Sequence, residues 1–315
     1  MAQPTNTTDS YELIGKREDL TDVIYSIAPE ETPFFTRSAK TSASNQLHEW
    51  QTDTLRASTD NAHIEGDDTV AEAIVATARL GNRLQIFKNS VRISGSDSYT
   101  RKAGRAREMA YQIIKKTKEH KKDIERALFL NQAAVSGDSL TARRLAGTGA
   151  WVTTNVNKAN DGTNPTGNGT NARTDGTQRA FSQTFFDDAM QKIWDAGGEP
   201  DTVYLSSYQM NIALSFIGNN NQRSNVEASG NRVIKNMQVY VTPWGDVNFV
   251  PSRHNRGRDV WIMQDDMWAV AVGRPTTTEE LAKTGDSDKR QIVTELTLVC
   301  RNEAASGLVA DCSTS

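Results

Sequence analysis

Proline is missing from a long stretch of this chain: there are eight in all, and none falls between Pro33 and Pro165. Nothing in that stretch forces a helix to stop. Cysteine is as scarce. Cys300 and Cys312 are the only two, too few for a disulfide framework and without a metal-site spacing, which fits a reducing compartment. No apolar run approaches the ~18 residues that span a bilayer. The N-terminal MAQPTNTTDSYELIGKRED lacks the charged-then-apolar layout of a signal peptide. Together these absences predict no membrane segment and a protein that stays in the cell where it is made.

Catalytic signatures are lacking too. His48, His63, His120 and His254 are scattered singly, with no HExxH and no Cys/His cluster, and lone histidines are mostly structural. There is no P-loop and no GxSxG nucleophile elbow. Gly147 and Gly149 follow a helix rather than a strand and have no third glycine, so they do not make a dinucleotide loop. Glu65, Asp67 and Asp68 lack the spacing of an EF-hand. Asp265 and Asp266 sit where a hairpin turn is expected. Trp244, Trp261 and Trp268 lie in or beside expected strands and read as core rather than as base-stacking platforms. No enzyme activity, cofactor or metal is expected.

What is there is length, 315 residues, enough for a sizeable core and two domains, and one dominant element. From about Ser98 to Gln132 the chain reads as a single helix, with a stripe at Ala106, Ala110, Ile113, Thr117, His120, Ile124, Ala127 and Asn131 in steps of four and three. Thirty-odd helical residues span about 45 Å, longer than a small domain is wide. The element is a strut. Between Thr100 and Asn131 it carries ten Lys or Arg against four acids, a net of +6, so the rest of a chain of net charge −3 carries −9. A solvated face explains about half of such charge runs; otherwise the strut is a nucleic-acid helix or a partner for acidic protein segments.

Two acidic stretches precede it. Residues 1–36 form an arm of net −5, polar to Asp9, with a weak helical pattern over Tyr11–Ile27 that ends at Pro29. Residues 46–72 hold seven acids and one base, Arg56. Here Leu47–Leu55 alternates like a strand, Thr77–Ile93 reads as its return, and Gly66 with Glu65, Asp67 and Asp68 marks the tip between them. Such a two-stranded arm is not stable alone in water and must rest on something else.

After the strut, Trp151–Thr177 is rich in Asn, Gly and Thr with no periodicity. It reads as loop or surface insertion, and shortening Asn155–Thr174 should cost little stability. Thr184 is expected to cap the helix FFDDAMQKIWDAGG, with Asp187 closing a capping box and Gly197 as the stop. A strand at Thr202–Leu205, a helix at about Ser207–Ile217, and strands at Val233–Val241, Val247–Val250, Val260–Met263 and Trp268–Val272 follow, with a PWGD turn at Pro243–Asp246. These make an α+β unit. A long strand, Gln291–Arg301, alternates Ile292, Thr294, Leu296, Leu298 and Cys300 on one face, and Gly307–Asp311 closes the chain.

Acidic arm, acidic two-stranded loop, basic strut, α+β unit and returning strand occur in the order of the Hong Kong 97-type major capsid proteins of tailed bacteriophages. HEWQTDTL (His48–Leu55), IEGDD (Ile64–Asp68), RLGNRLQIFKNSVRISG (Arg79–Gly95) and RNEAASGLVADC (Arg301–Cys312) resemble one branch of that family, over nearly the whole chain. The resemblance implies an α+β capsid fold: arm 1–36, extended loop and base 37–95, a peripheral domain of 96–150 and 285–315 built on the spine helix, and an axial domain of 151–284. It implies a virion protein, made in the host cytoplasm, that self-assembles into pentamers and hexamers of an icosahedral shell and touches packaged double-stranded DNA non-specifically on the inside. Arg56, Glu65, Asp67, Asp68, Lys115, Lys118 and Lys122 are then the expected intersubunit contacts, because arm and loop together carry −11 against the strut's +6. The alternative is a nucleic-acid-binding protein using helix 100–131, although acid so close to the basic helix repels phosphate. No scaffolding segment precedes the arm, so scaffolding is expected from a separate protein, as are portal and decoration proteins. The covalent Lys-to-Asn cross-link of the family's type member does not carry over, since Lys88, the only lysine between Thr41 and Thr100, lies on the returning strand.

Overall fold

The computed structural model describes residues 32–56, 58–66, 68, 73–100, 107–216 and 239–314. The expected helix in 11–27, Asp67, Ala106 and most of the strand expected at 233–241 lie outside them. The described chain enters on a one-turn helix, α1 (Pro33–Arg37), and a short strand, β1 (Ala39–Ser42). β2 (Leu47–Thr52) then pairs antiparallel with β3 (Ala78–Arg83), Trp50 opposite Leu80, and β4 (Gln85–Ser94) continues the return.

The helical strut is shorter than its sequence pattern suggests. A single turn, α2 (Gly95–Tyr99), ends at an extended Thr100, and the spine proper, α3, runs Glu108–Phe129. Those 22 residues span about 33 Å. At its far end Leu130 turns extended, and the Asn131 side chain leaves the helix to bond the backbone of Arg173 in both directions, at 2.6 and 2.9 Å. The stripe holds where the helix meets the sheet: His120, Ile124 and Ala127 are buried, whereas Ala110 is exposed. Gly147 and Gly149 pack on this end. A Cβ on Gly147 would stand 2.0 Å from the Leu130 carbonyl oxygen, so close backbone approach explains the glycine.

Two sheets carry the remainder. The first has the order β1-β10-β11-β4, with β10 (Trp268–Leu281) and β11 (Ser287–Cys300) as a long antiparallel hairpin and β1 parallel to the start of β10. Its inner face meets α3, where His120 Nε2 bonds Thr294 Oγ1 at 2.8 Å and the ring stands edge-on to Phe87. His120 is thus a packing residue. The expected alternation along β11 is half the pattern, since Val293, Thr297 and Val299 on the opposite face are buried as well.

The second sheet has the order β5-β12-β9-β6-β8-β7: β5 (Val156–Asn157), β6 (Thr202–Leu205), β7 (Val239–Thr242), β8 (Gly245–Pro251), β9 (Val260–Met263) and β12 (Gly307–Val309). Helices α4 (Gln183–Asp195) and α5 (Ser207–Ala213) accompany it. Phe186, Ala189, Met190 and Ile193 of α4 are fully buried, the spacing of an amphipathic face. The cap is Ser182 rather than Thr184: its hydroxyl accepts from Phe185 N–H and starts the helix two residues earlier, leaving no role for Asp187 in a capping box.

Strands β9 and β10 do not form the expected hairpin. A 3-10 turn, Asp265–Met267, carries the chain from one sheet to the other. Asp265 is fixed to β6 by the hydroxyls of Thr202 and Tyr204, at 3.0 Å each, so the chain cannot fold straight back. As a result β10, expected with the axial unit, sheets with β4 and β11, while β12, expected with the peripheral unit, sheets with β9 and β5.

The Asn/Gly-rich stretch is not a loose insertion. Trp151 is fully buried, β5 pairs with β12, and the buried Asn155 amide donates to the carbonyls of Ala304 and Ser306. Its anchor is charged: Arg173 donates to Asp175 and Asp259 at 2.8 Å and to Asp311 at 3.3 Å, with Arg256 and Arg258 completing the network. An apolar-periodicity criterion could not see a segment held by side-chain hydrogen bonds.

Candidate intersubunit surfaces

The base of the extended loop is tied to its own chain. Trp50 Nε1 donates to the Cys300 carbonyl at 2.7 Å, and the fully buried Asn82 amide donates to Leu298 and Ala146 carbonyls while accepting from Ala146 N–H. Beyond Thr52 and before Ala78 the described residues form no strand. There Leu55, Ile64, Ile74 and Val75 are 99, 84, 97 and 78 % exposed. Burying one such side chain is worth about 1.5–3 kcal/mol, so this segment leaves a large stabilisation unrealised within one chain.

The charged residues of the loop lie in the same segment. Glu65 and Asp68 are exposed on either side of a left-handed Gly66 (φ +82°), a conformation glycine adopts at little cost. Arg56 is exposed, its guanidinium donating to Thr59 Oγ1 at 2.7 Å. On α3, Lys115 and Lys118 are exposed and Lys122 half-buried. With Arg126 they recur in steps of three and four on the face opposite His120 and Ile124. Among the described residues no ion pair joins Glu65 or Asp68 to Lys115 or Lys122. Within the described residues, then, Glu65 and Asp68 on the loop and Lys115 and Lys122 on the spine do not neutralise one another.

The root of the arm is fixed by a residue the sequence pattern does not single out. Glu125, fully buried on α3, accepts from Phe34 N–H at 2.9 Å and Phe35 N–H at 2.7 Å, serving as the cap that Thr32 does not provide for α1. Phe34 beside it packs on Phe129, Tyr204 and Trp268. Burial pushes the Glu125 carboxyl from the ordinary 4.5 up to about 7, against the pull of the two N–H groups and Lys40. A carboxyl raised in this way favours the folded state while protonated. The contribution is complete below the unfolded value near 4.5 and is lost as pH rises to about 7, about 3 kcal/mol in total. Glu125→Gln should remove that dependence, so its stability should change less than the wild type's between pH 5 and pH 8. Equal pH slopes in denaturant melts of the two proteins would contradict this.

Comparison with known proteins bears on the family and the fold. The family model for the SU10 major capsid protein matches residues 3–313. A curated relative, the major capsid protein of Escherichia phage Phieco32, is 29 % identical over 98 % of this chain and 97 % of its own. Among solved structures, the capsid asymmetric unit of cyanophage A-1(L) superposes with a TM-score of 0.65 at 12 % identity, covering 95 % of this chain and 98 % of that one. The mature capsid asymmetric unit of bacteriophage PhiM1 gives 0.59 at 11 % identity, covering 97 % and 96 %. At such identities the superpositions speak for the fold, the Hong Kong 97-type capsid fold in its mixed α and β form. The family match spans nearly the whole length and favours the shell over the nucleic-acid-binding alternative. With its unburied loop and its full-length match, this chain belongs to the SU10 major capsid protein family and is a subunit of a phage capsid shell.

Proposed function

We propose that the chain assembles into pentamers and hexamers of an icosahedral shell around double-stranded DNA, each extended loop lying across a neighbouring subunit. The observation that carries this reading is the run of Leu55, Ile64, Ile74 and Val75, nearly bare of contacts in one chain; large exposed apolar surface marks an interaction site. In this arrangement Glu65, Asp67 and Asp68 of one copy face Lys115, Lys118 and Lys122 of the next, and Arg56 joins the same contact. The working units are the arm to residue 36, the loop and its base at 37–95, a peripheral domain of 96–150 and 285–315, and an axial domain of 151–284, with β10 and β12 exchanged between the last two as sheet partners. Scaffolding, portal and decoration proteins are further partners of the shell, contact with DNA is non-specific, and the chain is synthesised in the host cytoplasm. No described helix is long and apolar enough to cross a membrane. Electron microscopy of the protein co-expressed with its phage's scaffolding protein should show closed particles with five- and six-fold capsomers. A subunit that stays monomeric under those conditions overturns the proposal.

A further inference from the structure

β10 has an outer edge that its own chain covers only at the start. β1 pairs with it from Ala269 to Val272, and the last bond on that side is Ala43 N–H to the Val272 carbonyl, at 3.0 Å. From Gly273 to Leu281 no strand lies on the outer side among the described residues, and Gly273 to Glu280 are all exposed. That is about 30 Å of edge at ~3.3 Å per residue. Pro275, which has no N–H to offer, suits an edge, and Thr276, Thr277 and Thr278 are β-branched strand formers. An exposed edge of this length templates pairing with another chain. Among the described residues the chain's own arm does not fill it: β1 runs parallel to β10 from Ala39 opposite Ala269, and Phe34 just before it packs on Trp268, at the other end of the strand.

We propose that this edge pairs with the same edge of a second copy, antiparallel about a two-fold axis through Thr277. The inference rests on the shell reading and adds a specific contact to it. Charge decides the register. Counted residue for residue from Thr277, across the irregularity that β10 shows against β11 between Arg274 and Thr277, the pairing sets Arg274 of each copy opposite the partner's Glu280, twice per contact; each already meets a charge of its own chain, Glu295 at 3.7 Å and Arg290 at 3.5 Å, and remains 47 and 63 % exposed. A parallel in-register pairing stacks Arg274 on Arg274 and Glu280 on Glu280, which is destabilising. An isologous contact of this kind is what a two-fold axis demands, the same patch serving on both sides. It joins two four-stranded sheets into one of eight strands.

Site-directed cysteine cross-linking in assembled particles tests it. Thr277→Cys places two thiols directly opposite one another and should give a disulfide-linked dimer on mild oxidation; the native Cys300 and Cys312 are buried. Thr276→Cys and Thr278→Cys shift like residues by two positions, beyond the ~7 Å Cα separation a disulfide tolerates, and should stay monomeric on a non-reducing gel. Where the Thr277 variant does not assemble, Arg274→Glu and Glu280→Arg read the same register: each alone should lower particle yield, and the two together restore it. Particles in which Thr277→Cys remains unlinked, or in which all three variants link equally, overturn the edge pairing while leaving the shell standing. Failure of the wild type to form particles sinks the shell reading instead.

Discussion

Arg173→Ala is expected to lower stability by about 3–5 kcal/mol, the range for removing one partner of a buried ion pair. The guanidinium is 1 % exposed and its partners Asp259 and Asp311 are 1 % and 0 % exposed. Three arginines balance three aspartates in the network, so the substitution leaves one uncompensated negative charge in a site without ready access to water. The loss does not stop at the charge. Arg173 also fixes its own segment, through its backbone, to Asn131 at the end of the spine, and through its side chain to Asp259 just before β9 and Asp311 just after β12. Replacing Asn155–Thr174 by a Gly-Ser linker of equal length should therefore be at least as damaging. Calorimetry of the soluble subunit checks both: Tm should fall by several degrees or more. A melting point within a degree of wild type for Arg173→Ala would mean that water satisfies the aspartates and that the network does not hold the segment.

Sequence patterns fared well where apolar side chains set the structure and poorly where hydrogen bonds did. Leu47 and Trp50 announced β2, the buried face of α4 followed from Phe186, Met190 and Ile193, and Thr202–Leu205 is a strand with the expected bounds. The acidic tip and basic spine were readable because charge on a solvent face is visible without knowing the fold. By contrast, the long helix was overextended because nothing between Gly95 and Glu108 forbids helix, whereas the chain there makes one turn and then straightens at Thr100. The sheet change at Asp265 depends on two hydroxyls sixty residues away, a relation no local pattern carries. Glu125 looked like an ordinary member of a charged helix and Arg173 like one residue of an Asn/Gly-rich loop. Only burial reveals that one caps the arm's root and the other anchors a loop.

Reversing Lys115, Lys118 and Lys122 to glutamate should abolish particle formation without unfolding the subunit. The three lie on the side of α3 away from His120 and Ile124, so circular dichroism and Tm should stay near wild type. In the proposed assembly the substitution turns attraction to the neighbour's Glu65, Asp67 and Asp68 into repulsion. Exposed pairs are worth only about 0.2–1 kcal/mol each, yet three per contact, changed from attraction to repulsion, amount to about 1–6 kcal/mol, and ~1.4 kcal/mol is tenfold in an equilibrium. A shell repeats that penalty in every subunit. The compensating variant makes the test specific: Glu65, Asp67 and Asp68 to lysine should block assembly alone and restore it when combined with the spine reversal. Salt is a second handle, because at ~1 M the screening length is about 3 Å, and the spine variant should then recover part of its yield. If the lysines instead serve packaged DNA, empty shells form normally, the combined variant offers no rescue, and only genome retention suffers.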